Sequence, residues 1–195
     1  MPSPLRNGDL RSPAVVHHRQ IPFQSTVSEQ KLRRLNALIL LLRFAAFCFS
    51  LAAAIFMASN SSRSQGSPSW LHFPSFRFVL AANSIVSIYC LFEMCASVWE
   101  ILKGETLLPE PVQLWFDFSH DQVFAYMLLA AEATGTGVAR DLHGHGACDA
   151  AGAFCVQAYI SVALGFGGFA FLALSALLSG FRVACFVITG SRFHL

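Results

Sequence analysis

The sequence predicts an all-α protein, an integral membrane bundle of four helices whose N- and C-termini both lie in the cytoplasm. Three observations support this prediction. The 195 residues are 55% hydrophobic and only 12% charged, whereas soluble domains carry about 25% charged residues. Four apolar runs are long enough for a helix to cross a bilayer core of about 30 Å. Lys and Arg are concentrated in the segments that this topology places in the cytoplasm.

The N-terminal third of the chain supplies a tail and the first span. Residues 1–34 are rich in Pro, Ser, Arg and His and show no helical or strand period, so we expect a disordered, basic cytoplasmic tail. The first span covers residues 35–58 and reads LNALILLLRFAAFCFSLAAAIFMA. The basic cluster Lys31-Leu32-Arg33-Arg34 directly precedes it, which predicts that the N-terminus is cytoplasmic.

The remaining spans follow at short intervals. We place the second at 76–99, the third at 114–138 and the fourth at 154–181, within a bundle that covers residues 35–186. The third begins amphipathically and is the most polar of the four. Residues 187–195 form a short cytoplasmic tail, so we expect the chain to cross the membrane four times. In the alternative, the third run is peripheral, the chain crosses three times and the C-terminus lies outside.

Arg43 lies well inside the first span, about eight residues and therefore about 12 Å from its cytoplasmic end. A charge at that depth should face the bundle interior and pair. Two acids lie at a similar depth, Asp121 on the third span and Glu93 on the second, and spacing alone does not choose between them. Glu132 lies about 16 Å further along the third span than Asp121, so we expect no contact with Arg43.

The outer loops carry two further candidate sites. Asn60-Ser61-Ser62 matches the N-glycosylation pattern, but Asn60 lies so near the membrane surface that we expect it to remain unmodified. Cys148 and Cys155 lie in or beside the second outer loop, in an oxidising compartment, which predicts a disulfide. His143 and His145 precede them, but the Gly-rich spacing lacks a fourth ligand, so we predict no metal site.

No nucleophile–base pair, phosphate-binding loop or pair of acids in a cleft is recognisable, so we expect no enzymatic activity and no cofactor. The net charge of +2 gives no indication of nucleic acid as a partner. Small residues recur four apart, a spacing that lets helices pack closely within the bundle or between copies. These pairs are Ala131/Gly135, Ala133/Gly137, Ser161/Gly165 and Ala163/Gly167.

Several stretches, in this order and spacing, resemble the plant Casparian strip membrane protein-like family over roughly residues 30–190. They are the arginine of the first span, FRFVLAANSIVSIYCLFE, FDFSHDQVFAYMLLAAEATGTG, and a Cys-containing second outer loop that ends in FC. The resemblance implies four membrane helices with cytoplasmic ends. The family's hallmark Arg and Asp match Arg43 and Asp121, so the resemblance favours Asp121 as the partner of Arg43.

The resemblance also implies a function. Founding members are plasma-membrane scaffolds that assemble into immobile domains with copies of themselves and related chains, and gather enzymes that build the cell wall. Their aromatic signature in the first outer loop has no counterpart in SNSSRSQGSPSWLHFPSF, which implies a "like" member. We therefore expect a multi-pass plasma-membrane scaffold in contact with membrane lipids. The alternative is an oligomeric channel or transporter subunit, with a pathway lined by Arg43, Glu93, Asp121 and Glu132.

Overall fold

Four long helices make up the part of the chain that the computed structural model describes, namely residues 22–60, 69–103, 110–145, 148 and 152–189. They are α1 (Pro22–Ser59), α2 (Pro74–Lys103), α3 (Glu110–Gly144) and α4 (Gly152–Thr189), and a single 3-10 turn (Trp70–His72) precedes α2. Each predicted span lies inside one of these helices. The prediction of an all-α bundle is confirmed.

The helices are longer than the predicted spans at both ends of the chain. Helix α1 begins at Pro22, whereas the sequence predicts a disordered tail as far as residue 34. Proline suits the first helical position, and the Gln, Glu, Lys, Leu and Arg that follow extend a helix that the span nucleates. Residues 1–21 lie outside the described part. At the other end, residues 187–189 belong to α4, and residues 190–195 lie outside the described part of the chain.

Three of the helices are long and apolar enough to cross a membrane, over Arg34–Ser59, Pro74–Trp99 and Gly152–Ile188. Helix α3 is similarly long but does not meet the same criterion, because polar and acidic side chains interrupt its apolar run. These acids include Asp121 and Glu132, which are fully buried in the bundle. The protein is therefore a helical membrane bundle, and the crossing by α3 and the sidedness of the termini stay predictions.

The helices form a ring in which each packs against its two neighbours. Helix α1 contacts α2 and α4, and α3 contacts the same two helices from the opposite side. Helices α1 and α3 therefore lie diagonally across the bundle. We call the end that contains Asn60 and Cys148 the disulfide end, and the end where α1 begins and α4 finishes the terminal end.

The buried residues of each helix follow alternating steps of three and four. In α1 this register runs through Ile39, Arg43, Ala46, Ser50, Ala53 and Met57. Such a heptad spacing is typical of helices that pack at small crossing angles, with side chains interlocked. Arg43 thus occupies a core position, in register with the apolar residues around it.

Glycines bring α4 close to both of its neighbours. A Cβ atom at Gly168 would lie 2.6 Å from the Ser50 hydroxyl of α1, and one at Gly180 would lie 2.7 Å from the Phe118 ring of α3. Small residues at such positions let membrane helices gain dispersion energy that lipid would otherwise supply. Helix α4 is consequently held tightly between α1 and α3.

Candidate functional site in the bundle interior

Arg43 lies at the centre of a charge cluster in the half of the bundle nearer the terminal end. Arg43 is only 2% exposed. Nη1 donates to Glu93 Oε2 at 2.9 Å and Nη2 donates to Asp121 Oδ2 at 3.1 Å. The two ends of one guanidinium therefore bind acids on two different helices, α2 and α3.

Asp121 receives further donors from the remaining helices. It is completely buried. The hydroxyl of Tyr89 on α2 donates to Oδ1 at 2.6 Å, and that of Ser175 on α4 donates to Oδ2 at 3.0 Å. Ser179, one turn later on α4, donates to Oδ2 at 3.4 Å. All four helices thus meet at one carboxylate.

The structure brings together three of the charged residues that the sequence singled out and separates the fourth. Arg43, Glu93 and Asp121 form one cluster. Glu132 instead accepts a hydrogen bond from Asn83, nearer the disulfide end. The sequence left Asp121 and Glu93 as alternative partners of Arg43. The structure has both in contact with it, because a guanidinium can donate from two nitrogen atoms at once.

Sequence reasoning missed the hydroxyl donors of the cluster. Ser175 and Ser179 lie one turn apart on the buried register of α4, at positions that continue Ala158, Gly165 and Leu172 by steps of three and four. A heptad reading of the fourth span would have placed both serines inside. Tyr89 gives a weaker signal, because its ring packs against Phe124 and is only half-buried.

The arrangement is suited to holding helices in place. Hydrogen bonds between ionised partners are stronger than neutral ones, and removing one member of a buried pair typically costs about 3–5 kcal/mol because the other is left uncompensated. Asp121 Oδ1 and Oδ2 are both occupied by donors. A carboxylate engaged in this way is poorly placed to accept a proton from a substrate, so the geometry favours a structural role.

The disulfide end is closed by covalent and polar contacts. Cys148 and Cys155 form a disulfide with Cα atoms 5.7 Å apart. Asn60 is 2% exposed, and its Nδ2 donates to the carbonyl of Phe154 at 3.0 Å. The same nitrogen would carry a glycan, so attachment would require the opening of this contact. The indole of Trp70 donates to the carbonyl of Ala58 at 3.3 Å and covers the end of α1.

The histidines near the disulfide are exposed. His143 and His145 lie at the end of α3, and the sulfur of Cys148 is bonded to Cys155 and cannot also bind a metal. Among the described residues, no three His, Cys, Asp or Glu side chains come together as a metal-binding group.

Four packed helices, three of them apolar enough to cross a bilayer, and a buried ion cluster define a multi-pass membrane protein. The model of the Casparian strip membrane protein domain matches residues 32–171. The chain therefore belongs to the Casparian strip membrane protein family, which is a family of membrane proteins and not of enzymes.

Full-length relatives come from plants. CASP-like protein 4C1 of Ricinus communis is 58% identical over 100% of this chain and 98% of its own. CASP-like protein 4C2 of Populus trichocarpa is 61% identical over 89% of this chain and 91% of its own. CASP-like protein 4C1 of Arabidopsis thaliana is 54% identical over 100% and 97%, respectively. No solved structure matches the chain significantly.

Proposed function

We propose that this protein is a non-enzymatic scaffold of the plasma membrane. Copies associate with one another and with related chains, hold their position in membrane domains, and recruit proteins that modify the cell wall. Membership of the Casparian strip membrane protein family supports a membrane protein that is not an enzyme. The structural observation that carries the proposal is that Arg43 binds both Glu93 and Asp121 and so joins three helices, which favours a rigid body over a reactive centre.

The same observation favours a scaffold over a channel subunit. A pathway would need charged groups that face water or a passing solute. Arg43 instead directs Nη1 and Nη2 to carboxylates, and Asp121 is enclosed by Tyr89 and Ser175. A water-filled pathway would require these contacts to break. Breaking one buried ion pair costs about 3–5 kcal/mol, because it leaves a buried charge without its partner.

The outer surface of the bundle suits lipid and other helices. Large apolar side chains on three helices are mostly exposed, such as Ile88 (70%), Val123 (63%) and Leu177 (69%). In a membrane these positions face acyl chains or a second protein. The scaffold therefore meets its partners through an apolar surface and needs no polar groove.

Among the four predicted small-residue pairs, Ala133/Gly137 on α3 faces outward at both positions. Both residues are exposed, and a Cβ atom at Gly137 would meet nothing within 4 Å. By contrast, Gly135 packs against Val79 of α2. Close approach of another helix at Ala133/Gly137 would be unobstructed, and we use this pair to probe self-association.

Photobleaching of a fluorescently tagged chain in plant plasma membrane tests the proposal. We expect slow, incomplete recovery for the native chain and faster recovery for Gly137→Leu, which adds bulk at the outward pair. Ala170→Leu is the matched control, because Ala170 is also small and exposed but lies on α4, and it should recover like the native chain.

Size measurement in mild detergent complements the imaging. We expect oligomers for the native chain and for Ala170→Leu, and a shift towards monomer for Gly137→Leu. Rapid, complete recovery of the native chain together with a strictly monomeric species in detergent would refute the scaffold. Equal behaviour of the two leucine variants would exclude the Ala133/Gly137 face as the contact.

A further inference from the structure

A second buried polar site lies nearer the disulfide end, apart from the Arg43 cluster. Asn83 of α2 and Glu132 of α3 are both 0% exposed. Asn83 Nδ2 donates to Glu132 Oε1 at 2.6 Å and to the carbonyl of Val79 at 2.9 Å. From α4, Gly165 packs so closely on Glu132 that any side chain there would overlap the carboxyl group. Three helices therefore enclose this site.

Two oxygen atoms of the site have no hydrogen-bond partner. They are Asn83 Oδ1 and Glu132 Oε2, and both are buried. The Asn83 amide cannot turn over to relieve this, because its carbonyl oxygen would then face the carbonyl of Val79. Both hydrogens of Nδ2 are already used. A buried acceptor that lacks a partner keeps its full desolvation penalty. One further hydrogen-bond donor would satisfy the site.

No cation of the described helices compensates a charge on Glu132. The ion pairs of Arg43 go to Glu93 and Asp121, and Asp121 lies about 16 Å from Glu132 along α3. The basic residues nearest in sequence to the site, Arg77 and Arg140, are exposed at the disulfide end. The groups that face Glu132 from the neighbouring helices, Asn83 and Gly165, are uncharged.

We propose that this site binds a proton, and that Glu132 is a neutral carboxylic acid in the folded protein. The proton lies on Oε2 and is donated to Asn83 Oδ1, while Asn83 Nδ2 donates to Oε1. One proton then supplies the missing donor for both unpartnered atoms and closes a two-bond acid–amide pair. An isolated carboxylate at membrane depth would instead carry the desolvation penalty of a buried charge that has no partner.

The proposal goes beyond the scaffold function and does not depend on it. It divides the interior into two sites of different chemistry. The Arg43 cluster joins helices through charges, whereas Asn83 and Glu132 join α2 and α3 through an uncharged pair against Gly165.

Infrared spectroscopy of the purified full-length protein in lipid vesicles tests the proposal. A protonated carboxyl group and a carboxylate absorb in well-separated bands. In the difference spectrum between the native chain and Glu132→Gln, we expect loss of a carboxylic acid band that moves to lower frequency in heavy water. Loss of a carboxylate band instead would overturn the proposal.

A matched control and a second variant keep the test decisive. Asp141→Asn removes an exposed acid at the end of α3 and should remove carboxylate bands only. Should Glu132→Gln fail to fold, Asn83→Leu serves in its place, because Glu132 would then lose its amide partner. Its acid band should move to higher frequency, and an unchanged acid region in folded Asn83→Leu would refute the acid–amide pair.

Discussion

Replacing Asp121 with Asn should destabilise the bundle more than replacing Glu93 with Gln, although both acids bind Arg43. Asp121 accepts donors from Arg43, Tyr89 and Ser175 within 3.1 Å. Glu93 receives Arg43 Nη1 at 2.9 Å. Its side-chain hydrogen bond with Asp117 can be kept in Glu93→Gln, because the Gln amide donates to a carboxylate. An Asn amide would direct N–H groups towards donors that need an acceptor, so several contacts fail together.

The size of the difference follows from the number of donors. Interhelical hydrogen bonds in membranes contribute about 0.6 kcal/mol on average, which gives about 1.8 kcal/mol for three donors and about 0.6 for one. Bonds to charged groups contribute about 1.5–3 kcal/mol each, so the true gap exceeds this estimate. We therefore expect Asp121→Asn to lower the free energy of unfolding by at least about 1 kcal/mol more than Glu93→Gln.

Equilibrium unfolding in mixed detergent micelles, followed by circular dichroism, measures both values. Ser175→Ala is the graded control, because it removes one donor from Asp121 and leaves the ion pairs intact. Its cost should lie well below that of Asp121→Asn. A loss for Glu93→Gln that equals or exceeds the loss for Asp121→Asn would refute the donor-counting reasoning and make Glu93 the dominant partner of Arg43.

Three further predictions concern the rest of the bundle. Gly165→Ala should lower the free energy of unfolding by about 1–3 kcal/mol through overpacking, whereas Gly137→Ala, with open space around its Cβ, should be neutral in the same unfolding measurement. Cys148→Ser should cost about 2–3 kcal/mol by releasing a short covalent loop and abolish the effect of reductant on the thermal midpoint; Cys95→Ser, at an exposed free thiol, should do neither. We expect Asn60 to be unmodified, so endoglycosidase treatment of the protein from plant membranes should leave its electrophoretic mobility unchanged. A mobility shift that is present in the native chain and absent in Asn60→Gln would contradict this expectation.

The sequence was sufficient for the helices, because apolar length decides them, and for the pairing of two cysteines, because their short separation allows a small closed loop. The number of residues between each charge and the end of its span predicts how deep that charge lies in the membrane. Depth does not give rotation about the helix axis, so Asp121 and Glu93 stayed alternatives for Arg43. The register of buried residues supplies that rotation, and it places both acids inwards.

The Asn83–Glu132 pair and the helical start at Pro22 were not predicted, for different reasons. Asn83 lies ten residues before Glu93 on α2, and Glu132 lies eleven after Asp121 on α3. Because these helices run in opposite directions, the two residues reach the same level, and a comparison of depth on the second and third spans would have paired them. The helical start at Pro22 was missed because a polar segment beside a span shows no apolar period of its own.

The double contact of Arg43 has a consequence for how the chain is assembled during synthesis. Glu93 follows Arg43 by 50 residues and Asp121 follows by 78. When α1 and α2 have left the ribosome and α3 has not, Glu93 is the acid within reach and can neutralise the arginine. Asp121 then arrives with α3, and Ser175 comes last with α4. Because of this order along the chain, each new helix adds to a charge on Arg43 that an earlier helix has already partly neutralised. Arg43 is therefore not left unpaired in the membrane while the later helices are synthesised.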